Sequence, residues 1–487
     1  MLKRLTYFIS ILLAMGFNGA SAKVDKIPDS PSRIEFKPLN WKVPLGEPYR
    51  TILPNGLVAY IAEDQSLPLV KISGCIRYGS LLDPIGKEGL CNLLANLMRT
   101  GGTRKYQADS LDALIDLYAL SIRITASESQ MQFSLSCLAE YTSLGLDILG
   151  EMLFHPAFEE KKVKKTIDLY LEDLYHRFDN PAPILHAAYP KALYAKGANS
   201  RMATAKSIGG VTRNDLIELH LKVMRTENII CAASGKFIKD TMSLKLAALF
   251  PKAGKAPYDS LFPKVSVNTP DRVLFVNKKI SQSYVRLGLP LFQRPNPDYY
   301  PVSALNMILG GESFTSRLGT KIRSDEGLTY SINSNAESNY FYPGTFFIDF
   351  FTKSETTSRA IALSLDEVRR IKTSGITAEE LEHAKRILID GFPSMFRSPE
   401  DIVENYASNE YLKRPLDHFA TYPDKIQALT VGDIQAAAKK YLEPSSFTYV
   451  VVGDTAAIFK SDTVKGFSLR SLKSSKCIAP DSIPYLP

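Results

Sequence analysis

Residues 77–106 read Arg77-Tyr78-Gly79-Ser80-Leu81-Leu82-Asp83-Pro84-Ile85-Gly86-Lys87-Glu88-Gly89-Leu90-Cys91-Asn92-Leu93-Leu94-Ala95-Asn96-Leu97-Met98-Arg99-Thr100-Gly101-Gly102-Thr103-Arg104-Lys105-Tyr106, and the reading of the fold turns on the middle of this stretch. Apolar side chains recur at Leu90, Leu93, Leu94, Leu97 and Met98, the i, i+3, i+4, i+7, i+8 spacing of a helix with one buried face. The other face carries Asn92, Ala95 and Asn96. Taken alone, the pattern says only that the helix packs on a core.

An inverted zinc-peptidase helix fills those three positions with His, Glu and His, giving H-x-x-E-H. Two imidazoles hold the metal one turn apart, and a carboxylate between them activates water. Here the five residues read N-L-L-A-N. Asparagine is a poor zinc ligand and alanine accepts no proton, so no catalytic zinc is expected on this helix. The flanking segments Arg77–Pro84, Gly86–Leu90 and Thr100–Tyr106 nevertheless resemble the pitrilysin/insulinase family, which includes the mitochondrial processing peptidases. The resemblance runs from about residue 46 to 456. It is that of a noncatalytic member whose zinc motif has degenerated.

Met1–Ala22 has Lys3 and Arg4, then a 13-residue largely apolar run from Leu5 to Phe17, then Ala20-Ser21-Ala22 before Lys23. This pattern predicts a secretory signal peptide, and hence a periplasmic or secreted chain. The run is too short to span a bilayer, and no other segment approaches the ~18 apolar residues a span needs. Lys23 rather than cysteine follows, so lipoprotein anchoring is not expected. Loss of Lys3 and Arg4 with the signal lowers the net charge from +8 to +6. Basic and acidic residues are interleaved, so nucleic acid is not an expected partner. Charged residues at 23% and hydrophobic ones at 45% indicate a globular chain. Cys75, Cys91, Cys137 and Cys231 sit in apolar patterns as small hydrophobes, whereas Cys477 lies in a polar tail.

The chain repeats itself. Thr212-Arg213-Asn214-Asp215-Leu216 opens a helix to Val223 and precedes the strand Asn228–Lys236; Thr430-Val431-Gly432-Asp433-Ile434 opens a helix to Tyr441 and precedes Ser446–Asp454. In each, Thr three residues before Asp signals a helix N-cap. The openings correspond too: Leu57–Ala62 and Leu69–Ile72 in the first half, Val273–Val276 and Ser283–Gly288 in the second. The expected fold class is α+β, two homologous pitrilysin-like domains, each a mixed, mainly antiparallel sheet with helices packed on one side. The expected organisation is a signal peptide at 1–22, an extension at 23–45 and a first domain at 46–255. A linker at 256–270 follows, lying in a stretch rich in Lys, Pro, Gly and Ser, then a second domain at 271–458 and a solvated tail at 459–487.

The resemblance implies a third zinc ligand, a Glu about 80 residues beyond the first His, and Glu172 stands at that count. A supporting Glu expected seven residues earlier is replaced by Lys165, whose charge would repel a metal. The six histidines offer no i, i+4 pair, and His176, four residues after Glu172, reads as a solvated neighbour. No G-x-S-x-G motif is present, and Cys137 has no nearby His, which leaves a serine or cysteine mechanism without support. In the second half, Lys321-Ile322-Arg323-Ser324-Asp325-Glu326-Gly327-Leu328-Thr329-Tyr330-Ser331-Ile332 reads as a helix end at Gly327 followed by a strand from Leu328. In the family an Arg at such a helix end and a Tyr seven residues on donate hydrogen bonds to the substrate peptide; Arg323 and Tyr330 match in type and spacing. Spacing alone favours Arg323 pairing with Asp325 or Glu326 on the surface and Tyr330 filling the core, and the surrounding family pattern reverses that preference. Arg317 is the competing arginine, and its family counterpart is structural. The segment Leu309–Ser316 has only two adjacent glycines, so the long glycine-rich loop that selects mitochondrial presequences is not implied.

These features predict a noncatalytic, substrate-binding subunit of a heterodimeric periplasmic zinc metallopeptidase. This chain would hold no cofactor. Zinc is expected in a homologous catalytic partner with an intact H-x-x-E-H, and a peptide is the expected substrate. The rival readings are a structural scaffold, a stand-alone peptide-binding pseudopeptidase and, weakest, a self-sufficient zinc peptidase.

Overall fold

The computed structural model describes residues 30, 33–34, 41–194, 197–254, 262, 265–267, 273–464, 467–472 and 475–486. The expected signal peptide lies outside these residues, as do most of the extension and of the linker. The chain divides into two compact units, Met1–Lys42 and Val43–Pro487, and every element below belongs to the second.

In the first half, β1 (Arg50–Ile52), β2 (Val58–Glu63), β3 (Leu69–Ile76), β4 (Ser121–Ala126), β5 (Met131–Leu138) and β6 (Ile229–Gly235) form a sheet of order β1-β2-β6-β3-β5-β4. Helices α1 (Leu90–Thr100), α2 (Thr142–Phe154), α3 (Glu160–His176), α4 (Pro181–Leu193) and α5 (Arg213–Val223) connect its strands. In the second half, β7 (Val273–Asn277), β8 (Gln282–Pro290), β9 (Ile332–Glu337), β10 (Thr345–Lys353), β11 (Thr448–Gly453) and β12 (Ser475–Ile478) form a sheet of order β12-β7-β11-β8-β10-β9. Its helices include α6 (Tyr299–Asn306), α7 (Thr357–Ser374), α8 (Pro399–Tyr411) and α9 (Val431–Tyr441).

The two sheets are the same sheet twice. β2 pairs parallel with β6 as β7 does with β11, and the β6-β3-β5-β4 ladder is antiparallel like β11-β8-β10-β9. Thr212 and Thr430 each accept the N–H of the Asp three residues on, and each Asp carboxylate accepts the Thr N–H in return. The expected α+β duplication is therefore present. One edge differs: β1 is antiparallel to β2, whereas β12 runs parallel to β7.

That edge corrects the reading of the tail as a solvated extension. Ser475–Ile478 hydrogen-bonds along β7, Ile483 is buried, and Lys191 of α4 donates to the Pro484 and Leu486 carbonyls at 3.2 and 3.3 Å. The strand carries three exposed residues in four, so its pairing rests on the backbone and leaves no hydrophobic pattern to read.

Each sheet packs its own helices on one face and receives a helix from the other half on the second. α4 lays Ile184, Leu185, Ala188 and Tyr189 against Leu274, Val276, Phe347, Val450 and Val452 of the second sheet. Gly288 permits this approach, since a Cβ there would lie 2.1 Å from the Phe346 carbonyl and 2.5 Å from the Tyr189 hydroxyl. In return, α8 crosses β2, β3 and β6, with Tyr406 fully buried and stacked on Tyr60. Burial on both sides explains why β6 and β11 are apolar at nearly every position rather than alternating.

Candidate functional site

The helix α1 is capped at its N-terminus by Gly89, whose φ of +97° suits glycine, and the first N–H groups are taken by an acid from the preceding loop. The Asp83 carboxylate, buried, accepts from the N–H of Gly89 at 2.9 Å and of Cys91 at 3.0 Å. Burial outweighs these two bonds and pushes the Asp83 pKa up to about 7. Arg201 fixes the loop by donating to the carbonyls of Asp83 and Leu81 at 2.8 and 3.0 Å. Sequence reasoning passed over Asp83; the signal was an acid six residues before a helix start that has no side-chain cap of its own.

The three positions of the degenerate motif are each occupied by other work. Asn92 is half-buried and lies beside the hydroxyl of Tyr170 of α3. Ala95 is 1% exposed and sits in the core with Leu94 and Met98. Asn96 is exposed, and its main-chain and side-chain carbonyls accept the Thr100 hydroxyl at 3.0 and 3.1 Å. Two amides and a methyl group do not make a zinc donor set, so the residues here do not fit the metal that this motif holds when intact. Among the described residues, no group of three or more His, Cys, Asp or Glu side chains is placed to hold a metal ion.

The structure does not bring Glu172 to that face. α3 turns Val163, Ile167, Tyr170, Leu171 and Leu174 toward the core, and Lys165 and Glu172, seven residues apart, share its exposed side. His176 pairs with Asp179 at 2.8 Å on the surface.

The second-half pair lies in the open. Arg323 belongs to a wide helical turn, Gly319–Asp325, and its guanidinium stacks 3.8 Å over the Phe314 ring while donating to the Ser313 carbonyl at 3.4 Å. Tyr330 is 84% exposed and precedes the strand, which starts at Ile332 rather than Leu328. Neither takes the alternative partner the spacing allowed: Glu326 pairs with Lys321 and Arg359, and Tyr330 is not in the core. Both line one cavity of about 540 Å³ with Gln282, Phe351 and Lys353, and Asn92, Ala95 and Asn96 are not among its walls. Two donors, a guanidinium and a phenol, thus line one cavity. Arg317 is the structural arginine, held by both Glu380 oxygens at 2.7 and 2.8 Å and donating to the Gly375 carbonyl at 3.0 Å.

The M16 family model described as insulinase matches residues 58–205, and the model described as the peptidase M16 inactive domain matches residues 210–388. The chain belongs to the M16 family. Within M16, it is 26% identical to a protein named non-peptidase homolog YmxG from Helicobacter pylori, over 80% of this chain and 90% of that one. It is 22% identical to the mitochondrial-processing peptidase subunit alpha of Solanum tuberosum, over 85% and 83%. Its M16 fold matches a crystal structure described as a peptidase M16 inactive domain from Pseudomonas fluorescens, with a TM-score of 0.75, 23% identity and coverage of 83% and 97%. The degenerate α1 motif makes this chain an M16 homologue without the family's zinc-binding residues.

Proposed function

We propose that this chain is the noncatalytic, substrate-binding subunit of a heterodimeric periplasmic zinc metallopeptidase. A homologous partner supplies H-x-x-E-H and the zinc, and this chain supplies Arg323 and Tyr330 to the peptide. The observation that carries the reading is the contrast between the two halves. The motif helix has had its polar face filled by Asn92, Ala95 and Asn96, while Arg323 and Tyr330 stand on a cavity wall without an acid partner. Water activation and carbonyl polarisation are separable roles, so two chains can divide them. The relatives' names, a non-peptidase homolog and one subunit of a processing peptidase, support the division. The Met1–Ala22 pattern supports export. Among the described residues, no helix is long and apolar enough to cross a membrane.

The test is reconstitution with an M16 chain carrying intact H-x-x-E-H from the same organism. The pair should form a stable 1:1 complex and cleave unstructured peptides, while this chain alone should hold no stoichiometric zinc and cleave none. A catalytic chain that is fully active alone and does not bind this one defeats the proposal in favour of a scaffold or stand-alone binder.

A further inference from the structure

A cluster of cations lies away from both places described above. A cavity of about 830 Å³ is walled by Arg294, Arg414 and Lys425 of the second half and by Arg77 of the first, with Tyr300, Phe341 and Tyr411 among its aromatic lining and no aspartate or glutamate among the described residues that line it. Arg294 is only 8% exposed, its Nε is buried without a hydrogen-bond partner, and its guanidinium is held between Tyr299 at 3.6 Å and Tyr340 at 4.8 Å. Arg414 lies 4.8 Å from the centre of the Tyr340 ring and donates from Nε to the Tyr340 hydroxyl at 2.8 Å. The acid nearest in sequence to Arg294, Asp298, is already taken by Lys440 at 2.6 Å and by the Tyr441 hydroxyl. Burial, followed by the charges of Arg414, Arg294 and Lys425, pushes His418 on the same wall down to about 3.

The cluster is built rather than incidental. Arg294 N–H donates to the Asn339 carbonyl at 2.8 Å, Gln293 to the Tyr340 carbonyl at 2.8 Å, and Asn409 to the Pro415 carbonyl at 3.0 Å. Arg77 donates to the Tyr411 carbonyl at 3.1 Å. Four separate loops are thereby tied around one space. Gathering Arg294, Arg414 and Lys425 with no carboxylate among the described wall residues is unfavourable in the free protein, and a bound anion relieves it.

We propose that this cavity binds a phosphate monoester, its dianion held by Arg294, Arg414 and Lys425 and its organic body packed on Phe341, Tyr300 and Tyr411. A carboxylate answers one positive charge, whereas a phosphate ester carries between one and two at neutral pH and offers three acceptor oxygens to several donors. Guanidinium forks suit that group. The volume is that of a site for a whole small molecule rather than an inorganic ion.

The experiment is calorimetry on the full chain with phenyl phosphate, inorganic phosphate and benzoate as probes. Phenyl phosphate should bind 1:1, at least about tenfold tighter than either other probe, and more weakly as salt rises. Arg414→Gln and Lys425→Gln should each weaken it by about 10- to 100-fold, the effect of losing one charged donor. Arg369→Gln, a surface arginine paired with Asp366 on α7, should leave it unchanged. Circular dichroism shows that each variant is folded, and Lys425, exposed, is the substitution least able to disturb the core. Equal affinity for benzoate would make this a carboxylate site, equal affinity for inorganic phosphate would remove the organic body, and binding unchanged in both wall variants would place the ligand elsewhere; each overturns the proposal. No partner subunit is needed, so the outcome is independent of the peptidase reading.

Discussion

At the scale of single residues, Ala95 limits what can be rebuilt on α1. Restoring Asn92→His, Ala95→Glu and Asn96→His together places a carboxylate at a position that is 1% exposed. Without a metal to meet it, a buried charge of this kind costs about 3–5 kcal/mol. The third ligand is still missing, because Tyr170 faces Asn92 and Glu172 faces solvent. The triple variant should therefore lose stability in chemical denaturation and retain well under one zinc per chain after dialysis; one equivalent retained would mean that another side chain completes the site. Arg323 and Tyr330 make the opposite forecast, since neither belongs to the core and Arg323 rests on the Phe314 ring and the Ser313 carbonyl. Arg323→Ala or Tyr330→Phe should leave heterodimer assembly intact and lower the turnover of the reconstituted pair by ~10²- to 10³-fold, the usual loss for one aimed donor. Arg323→Lys should rescue only partly, because an ammonium lacks the planar fork. Arg317→Ala should act through stability instead, because it leaves the Glu380 carboxylate without its bidentate partner. Equal turnover losses from folded Arg317→Ala and Arg323→Ala complexes would remove Arg323's special role.

At the scale of elements, what could be read from the chain was the pattern that burial imposes, and what could not was phase and backbone pairing. β2, β3, β6, β7, β8 and β11 are apolar enough to be found by inspection, and the paired Thr–Asp capping boxes mark α5 and α9 in both halves. Counting 80 residues from Asn92 reaches Glu172, an exposed position on α3 outside the set that packs on the core. β12 escaped notice because its exposed Ser475, Lys476 and Cys477 contribute only backbone hydrogen bonds. Arg294, Arg414 and Lys425 escaped because they stand on separate segments, two loops and a short helix, that only the fold brings around one cavity. The start of α1 carries a prediction of its own. The Asp83 pKa is raised from 3.8 to about 7, so the native state binds a proton that the unfolded chain has released. The stabilisation from Asp83 is complete below its unfolded pKa and is lost as pH rises toward 7. Urea denaturation from pH 4 to 7 should show a declining contribution of roughly 4 kcal/mol at most, and Asp83→Asn should flatten it. An unchanged slope in the variant would mean that the two N–H bonds keep Asp83 ionised.

At the scale of the whole molecule, the exchange of α4 and α8 makes the two sheets one folding problem. Each half covers its own inner face, but the outer faces of β6 and β11 are completed only by a helix encoded in the other half. Glu410, at the end of α8, is the polar clasp of that exchange: it receives Arg50 through both oxygens at 2.9 Å and the Tyr60 hydroxyl at 2.8 Å. The Arg50 hydrogen bonds, against the opposing effect of burial, hold the Glu410 pKa below its usual value of 4.5. A lowered carboxylate pKa stabilises the fold above the unfolded pKa and loses that contribution as pH falls through the folded one, the reverse of Asp83. Glu410→Ala should thus lower stability at pH 7 by about 3 kcal/mol, leaving Arg50 and Tyr60 without their acceptor. If the halves unfold as one unit, fluorescence and far-ultraviolet circular dichroism will give coincident transitions for both the parent and the variant, with the midpoint displaced. If instead each half stands alone, Glu410→Ala will split the transition, and the first half expressed without α8 will remain soluble and folded. That second result would refute the claim that the exchanged helices, rather than the separate sheets, hold this chain together.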